Sequence, residues 1–190
     1  GLFALAACAG DAQGLRSLVR PALLRLGAAL GDSVFLLVRD GFDAMCLDRW
    51  EGPFPIRSFT GDIGGRVPLG VGQGAMSILA HLPDEEREEV LRHNVPRLVG
   101  MGSLDGVYLR TEIVRTRQQG YSATHTGLLE GMAGVGVPLF DAAGRVVAAL
   151  SVGTLAARLA GERLPVVVDL LLREARALQP QINPFDRSLR

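Results

Sequence analysis

Lysine is absent from this sequence: all 20 of its positive side chains are arginine. Without a primary amine on any side chain, Schiff-base catalysis, a pyridoxal-phosphate site and a phosphate loop built on lysine are excluded. Cysteine occurs only twice, at Cys8 and Cys46, far apart and outside any CxxC pairing. Both lie in apolar sequence, which fits buried thiols in a cytoplasmic protein better than a disulfide framework. Net charge is missing too, with 20 acidic residues against 20 basic ones and no basic cluster. A domain that grips DNA by itself carries a basic face. No run of about 18 apolar residues is present, so no helix is expected to span a membrane. The opening GLFALAACAGDAQ has no basic n-region and does not read as a signal peptide.

Chemistry-bearing groupings are equally sparse. The histidines are His81, His93 and His125. The first two fall in helical, surface-type sequence, and His125 falls in the short strand-like YSATHT. No serine sits in a GxSxG elbow, and no His/Cys/Asp/Glu group has metal-ligand spacing. No catalytic residue, metal or cofactor is expected. Arg57 and Arg66 are the nearest candidates for phosphate contacts, and both read as surface positions.

What is present is a globular chain of 190 residues, 48% hydrophobic, long enough for one domain with a core. Leu15, Leu18, Val19, Leu23, Leu26 and Leu30 recur at helical spacing, so residues 12–31 read as helix. Pro21 interrupts that run, so either two helices meet there or one begins. SVFLLVRDGFDAMCLDRW reads as a hairpin turning at Asp40-Gly41. FPIRSFT, with Phe54 and Ile56 on one face, reads as a third strand, and GDIGGRVP as a glycine loop. Helices are expected over 73–82, from Pro83 through PDEEREEVLRHN, and over 104–119 until Gly120. MAGVGVPLFD and RVVAALSVGT read as strands joined by the turn DAAG. Residues 155–180 return to helix, with Leu159, Val166, Val167, Leu170, Leu171, Ala175 and Leu178 as its stripe. The order predicts an α+β fold, an antiparallel sheet of about six strands with helices packed on it.

Glycine is abundant where it is least expected. In VPLGVGQGAM, Gly70, Gly72 and Gly74 alternate just before a helix. Gly70, Gly72 and Ala75 fit GxGxx(G/A) literally, but Pro68 is a poor residue for a preceding central strand. Position 90, where an acidic residue belongs, is Val. A dinucleotide site is therefore rejected. Two readings remain open. The unpaired N–H groups of residues 71–74 could meet an anion, or the glycines let the helix pack on the sheet. Gly131, Gly134, Gly136 and Gly153 lie in or beside strands, where glycine marks a bulge or a close approach. Gly134 and Gly136 share a face, as do Ser151 and Gly153. If both faces look into one cavity, that cavity holds few side chains.

Taken in order, SVFLLVRDGFDAMCLDRWEGPFPIRSFTGDIG, RVPLGVGQGAMSILAHLPDEE and GYSATHTGLLEGMAGVGVPLFDAAGRVVAALSVG resemble the C-terminal region of the IclR family of bacterial transcription regulators. The likeness runs from about residue 12 to 180. It implies a GAF/profilin-like effector-binding domain over 11–190, with 1–10 as the remnant of an interdomain linker. It also implies a homodimer or homotetramer, and operator DNA bound only through an N-terminal winged helix-turn-helix absent from this chain. Carried over by motif, the effector site comprises Leu69, Gly70, Val71 and Gly72 on one side. Thr124, Met132, Gly134, Ser151 and Gly153 form the other.

The chain departs from the family pattern at several of these positions. Many members have His where Gly70 stands, and those that take very small keto acids tend to carry an acidic residue at Thr124. They also have bulkier or polar residues at Gly134 and Gly153. The expected effector is thus a larger organic or aromatic carboxylic acid. Its carboxylate would lie on the loop amides and Ser151, and its apolar body on Met132 and Val71. An enzyme converting a small molecule, or another GAF-like sensor, is the alternative; neither has a nucleophile–base pair or phosphate-binding side chains to support it.

Overall fold

A computed structural model describes residues 2–53, 62–124 and 130–183. A single helix, α1 (Leu2–Leu30), opens the chain and runs straight through Pro21. Neither expectation at Pro21 holds. The proline costs one helical hydrogen bond, but Val19, Ala22, Leu23 and Leu26 around it are almost wholly enclosed against the sheet, and that burial holds the helix together. Gly27 makes the contact close, because a β-carbon there would stand 2.3 Å from the Trp50 ring.

Strands β1 (Ser33–Asp40) and β2 (Asp43–Trp50) form the expected hairpin, with Gly41 at φ 63° in its turn. The predicted third strand, 54–60, lies outside the described residues. On its other side from β1, β2 pairs with β3 (Arg66–Pro68), inside the segment expected to be a glycine loop. Pro68 is tolerated because β3 is an edge strand.

Next come α2 (Gln73–His81), α3 (Asp84–Asn94) and α4 (Gly106–Gln119). The Asp105 carboxylate caps α4 by accepting from the Tyr108 N–H at 2.8 Å, and Gly120 at φ 86° stops it. Strands β4 (Ser122–Thr124), β5 (Met132–Phe140) and β6 (Val146–Leu155) follow. The helix expected over 155–180 is broken in two, α5 (Ala156–Leu159) and α6 (Arg163–Leu178), at Gly161, whose φ is 66°. Val166, placed on the apolar stripe by spacing, is 54% exposed, because the buried face of α6 runs through Val167, Val168, Leu171, Ala175 and Leu178.

All six strands join one antiparallel sheet in the order β3-β2-β1-β6-β5-β4. Alternation sends Val135, Val137, Leu139, Leu150 and Val152 to the face covered by α1 and α6. Phe35, Leu37 and Ala149 face a second core with α2, α3 and α4. At the end of the sheet Asp32, 1% exposed, ties the first layer together. It accepts from Thr154 Oγ1 at 2.7 Å, Arg158 Nε at 2.9 Å and Arg163 Nη2 at 2.5 Å. Burial alone would raise its pKa, but the bonds from Thr154, Arg163 and Arg158 outweigh that and hold the carboxyl below its usual range.

Candidate functional site

The turn before α2 is built from glycine for a definite reason. Gly70 and Gly72 sit at φ 106° and 85°, which L side chains rarely adopt. Gly72 is also the residue that starts α2, with its carbonyl accepting the first helical bond from Met76 N–H at 3.0 Å. Helix geometry leaves the next N–H groups, at 73–75, without a partner inside the helix. Leu69 and Val71 contribute differently than the sequence suggests. The Leu69 N–H donates to Phe42 O at 2.9 Å and the Val71 N–H to Pro68 O at 3.0 Å. The Val71 amide is therefore spent on the turn rather than open to a ligand. Both side chains are buried in the second core, so Val71 offers no exposed apolar wall.

Opposite this turn lies the glycine face of β5 and β6. The register pairs Gly134 with Gly153 and Gly136 with Ser151, so these four share one face. Thr124 pairs with Gly134 on the outer side; its side chain lies outside the described residues, as do His125 and Arg57. Met132, half-buried, starts the same face of β5 beside Leu155.

The structure brings the two walls into direct contact. A β-carbon on Gly136 would stand 2.3 Å from the Gln73 carbonyl oxygen and 2.7 Å from the Gly74 nitrogen. On Gly74 it would stand 2.5 Å from Leu37 Cδ1 and 3.2 Å from Ser151 Oγ. So the face at Gly136 is not an emptied cavity, as the pattern of glycines suggested. The backbone of the first turn of α2 fills it. Gly74 and Gly136 serve packing, while Gly134 and Ser151 lie against Gln73 and Gly74 at the opening of α2, and Gly153 pairs with Gly134 on the same strand face.

One residue here escaped the reading of the sequence. Gln73 sends its side chain across Gly134, with Cγ 3.3 Å from where a β-carbon on that glycine would stand. Its Oε1 accepts a hydrogen bond from Ser122 Oγ on β4, whose side chain is buried. A polar residue at the first position of a helix was the only signal for it.

Elsewhere the expected bystanders behave mostly as read. His93 is exposed and stacks on Phe42 at 3.9 Å between ring centroids. His81 is instead half-buried: its Nδ1 meets Ser77 O at 2.8 Å and its ring meets Phe140 edge-on. Burial lowers its pKa, and the nearby Arg117 adds to this. Arg66 is a surface residue paired with Asp40 and Asp43. Cys46 is buried, whereas the Cys8 side chain lies outside the described residues. Among the described residues, no group of three or more His, Cys, Asp or Glu could hold a metal ion. No helix among them is long and apolar enough to cross a membrane.

Comparison with known proteins agrees with this architecture. The family described as bacterial transcriptional regulator IclR C-terminal matches residues 9–179. The HTH-type transcriptional regulator KipR of Bacillus subtilis is 32% identical over 174 residues, covering 91% of this chain and 69% of KipR. The HTH-type transcriptional regulator BhcR of Paracoccus denitrificans is 29% identical, covering 90% of this chain and 62% of BhcR. The chain thus spans roughly two thirds of the length of these curated relatives, which are named as regulators and not as enzymes. A solved IclR homologue from Microbacterium hydrocarbonoxydans, complexed with 4-hydroxybenzoate, is 27% identical with a TM-score of 0.75. The match covers 88% of this chain and 68% of that one. By its sequence, its sheet order and its relatives, the chain belongs to the IclR family of bacterial transcriptional regulators, of which it carries the C-terminal domain.

Proposed function

We propose that this domain is the sensor of a cytoplasmic transcription regulator. It binds a small organic acid beside the opening of α2 and self-associates as a dimer or tetramer. Ligand binding then controls operator binding by a separate N-terminal winged helix-turn-helix domain. The observation that carries this reading is the start of α2. The turn at Gly72 opens α2, whose first residues lie against the strand face that carries Gly134, Gly136 and Gly153, with the Ser151 hydroxyl beside Gly74. Such a terminus favours a carboxylate without any lysine. An aromatic acid in the Microbacterium relative supports the chemical class. In this arrangement the carboxylate meets the amides after Gly72 and the Ser151 hydroxyl, and the apolar body lies toward Met132. Leu69, Gly70 and Val71 act by shaping the turn, and Thr124 borders the opposite wall. For binding to act as a signal, the effector must prefer one assembly state over another.

A thermal-shift screen of the domain against carboxylic acids, from pyruvate to 4-hydroxybenzoate, tests the reading. A ligand of the folded state adds about 2.7 kcal/mol of stability at a hundred times its dissociation constant. The expected result is a rise in Tm that Ser151→Ala or Gly72→Val removes. No rise with any acid overturns the reading.

A further inference from the structure

We infer that Gln73 sets the upper size limit of the effector. This rests on the site proposed above. The sequence suggests a wide site, because Gly134 and Gly153 carry no side chains where other family members have bulk. The structure puts bulk back from the other wall. The aliphatic part of Gln73 crosses Gly134, with Cγ 3.3 Å from the position of the absent β-carbon. Its carboxamide is then anchored on β4 through Ser122.

The anchor has a physical basis. Ser122 is fully buried, and a buried hydroxyl requires a partner. The Gln73 backbone is seated close on the strand, with its carbonyl directly against Gly136. Three positions thus fix one side chain: Gly136 seats its backbone, Gly134 clears its path and Ser122 holds its end. Gly134 and Gln73 act as a pair in which the missing side chain of one is replaced by the side chain of the other. The consequence is a site floored by a glutamine methylene chain beside Gly134, closed in that direction to any ligand that would extend between α2 and β4.

The test measures affinities of the whole domain for 4-hydroxybenzoate and for the longer 4-phenylbenzoate by calorimetry. Wild type, Gln73→Ala and Gln73→Leu are compared. Gln73→Ala is expected to shift the ratio of affinities toward the longer acid by about tenfold or more. Gln73→Leu, which keeps the bulk and loses the amide, is expected to leave the ratio unchanged. A ratio that is the same in wild type and Gln73→Ala overturns the inference. If neither acid binds any of the three, the organic-acid reading falls, and a ligand-free experiment judges Gln73 alone. Gly134→Ala is melted in the wild-type and Gln73→Ala backgrounds. A smaller fall in Tm in the second background supports the pairing, since a β-carbon at 134 then no longer meets Gln73 Cγ, the tightest side-chain contact it would make. Equal falls overturn it.

Discussion

The two faces of β5 and β6 are made from alternate residues of the same strands, yet they are built on opposite principles. Toward α1 and α6 the strands present Val135, Val137, Leu139, Leu150 and Val152, and the layers meet through side chains. Toward α2 they present Gly134, Gly136, Ser151 and Gly153, and at Gly136 the layers meet through backbone. Side-chain packing buries apolar area, at about 25 cal/mol per Å², and tolerates small changes of shape. Backbone packing gains little area and tolerates almost none. In the reading proposed above, what it gains is a helix end held beside the strand face where the acid would bind. The first face gains burial, and the second gains a close fit of backbone to backbone at Gly136.

That contrast can be broken by substitution. Leu150→Ala, on the side-chain face, is expected to cost about 2–5 kcal/mol in urea unfolding while leaving acid affinity unchanged. A loss of affinity with retained stability would reverse the assignment of the faces. Gly136→Ala adds a single methyl on the other face and is expected to cost about 3 kcal/mol. Its new atom would meet backbone on α2, which has no rotamer by which to yield. Urea unfolding again reads the result, and a cost near zero would mean that the helix and sheet are free to part.

Asp32→Asn tests what holds the side-chain layer at its edge, with an expected cost of about 2 kcal/mol near neutral pH. Because its partners hold the folded-state pKa of Asp32 below the ordinary value, its contribution is complete above that ordinary value. It is lost as pH falls through the folded one. The difference in stability between wild type and Asp32→Asn should therefore begin to close below about pH 4. A difference independent of pH would assign Asp32 a packing role alone. Gly72→Ala, which puts a side chain at φ 85° and ψ 164°, is expected to cost about 1–3 kcal/mol, together with weaker acid binding in a titration. Unchanged binding would remove the turn from the site.

Most of the fold was legible because its signals are local. The β1–β2 hairpin, its turn at Gly41, the join of β5 to β6 and the stop at Gly120 follow from residues a few positions apart. What was hidden depends on distant partners. Nothing near Pro21 says that buried neighbours will hold α1 together across it. Nothing near Arg66 says that β2 has an open edge for it to join. The site divides in the same way. Glycines at 70 and 72 mark a turn that needs positive φ, and the family resemblance groups them with Gly134 and Gly153. That Gly136 and Gly74 serve each other, and that Gln73 spans Gly134, depends on the register of two strands against a helix. Spacing within one segment carries no such information.

The sheet order has a kinetic consequence. Each hairpin closes through a few residues, so β1–β2 and β5–β6 can form early and separately. The central seam between β1 and β6 joins segments far apart in the chain, as the Asp32–Thr154 bond does across 122 positions. Closing so long a loop spends entropy before any seam contact returns it, which makes that step slow. The domain is thus expected to assemble as two short ribbons that must find each other, with the bonds from Thr154, Arg158 and Arg163 to Asp32 closing last, like a clasp.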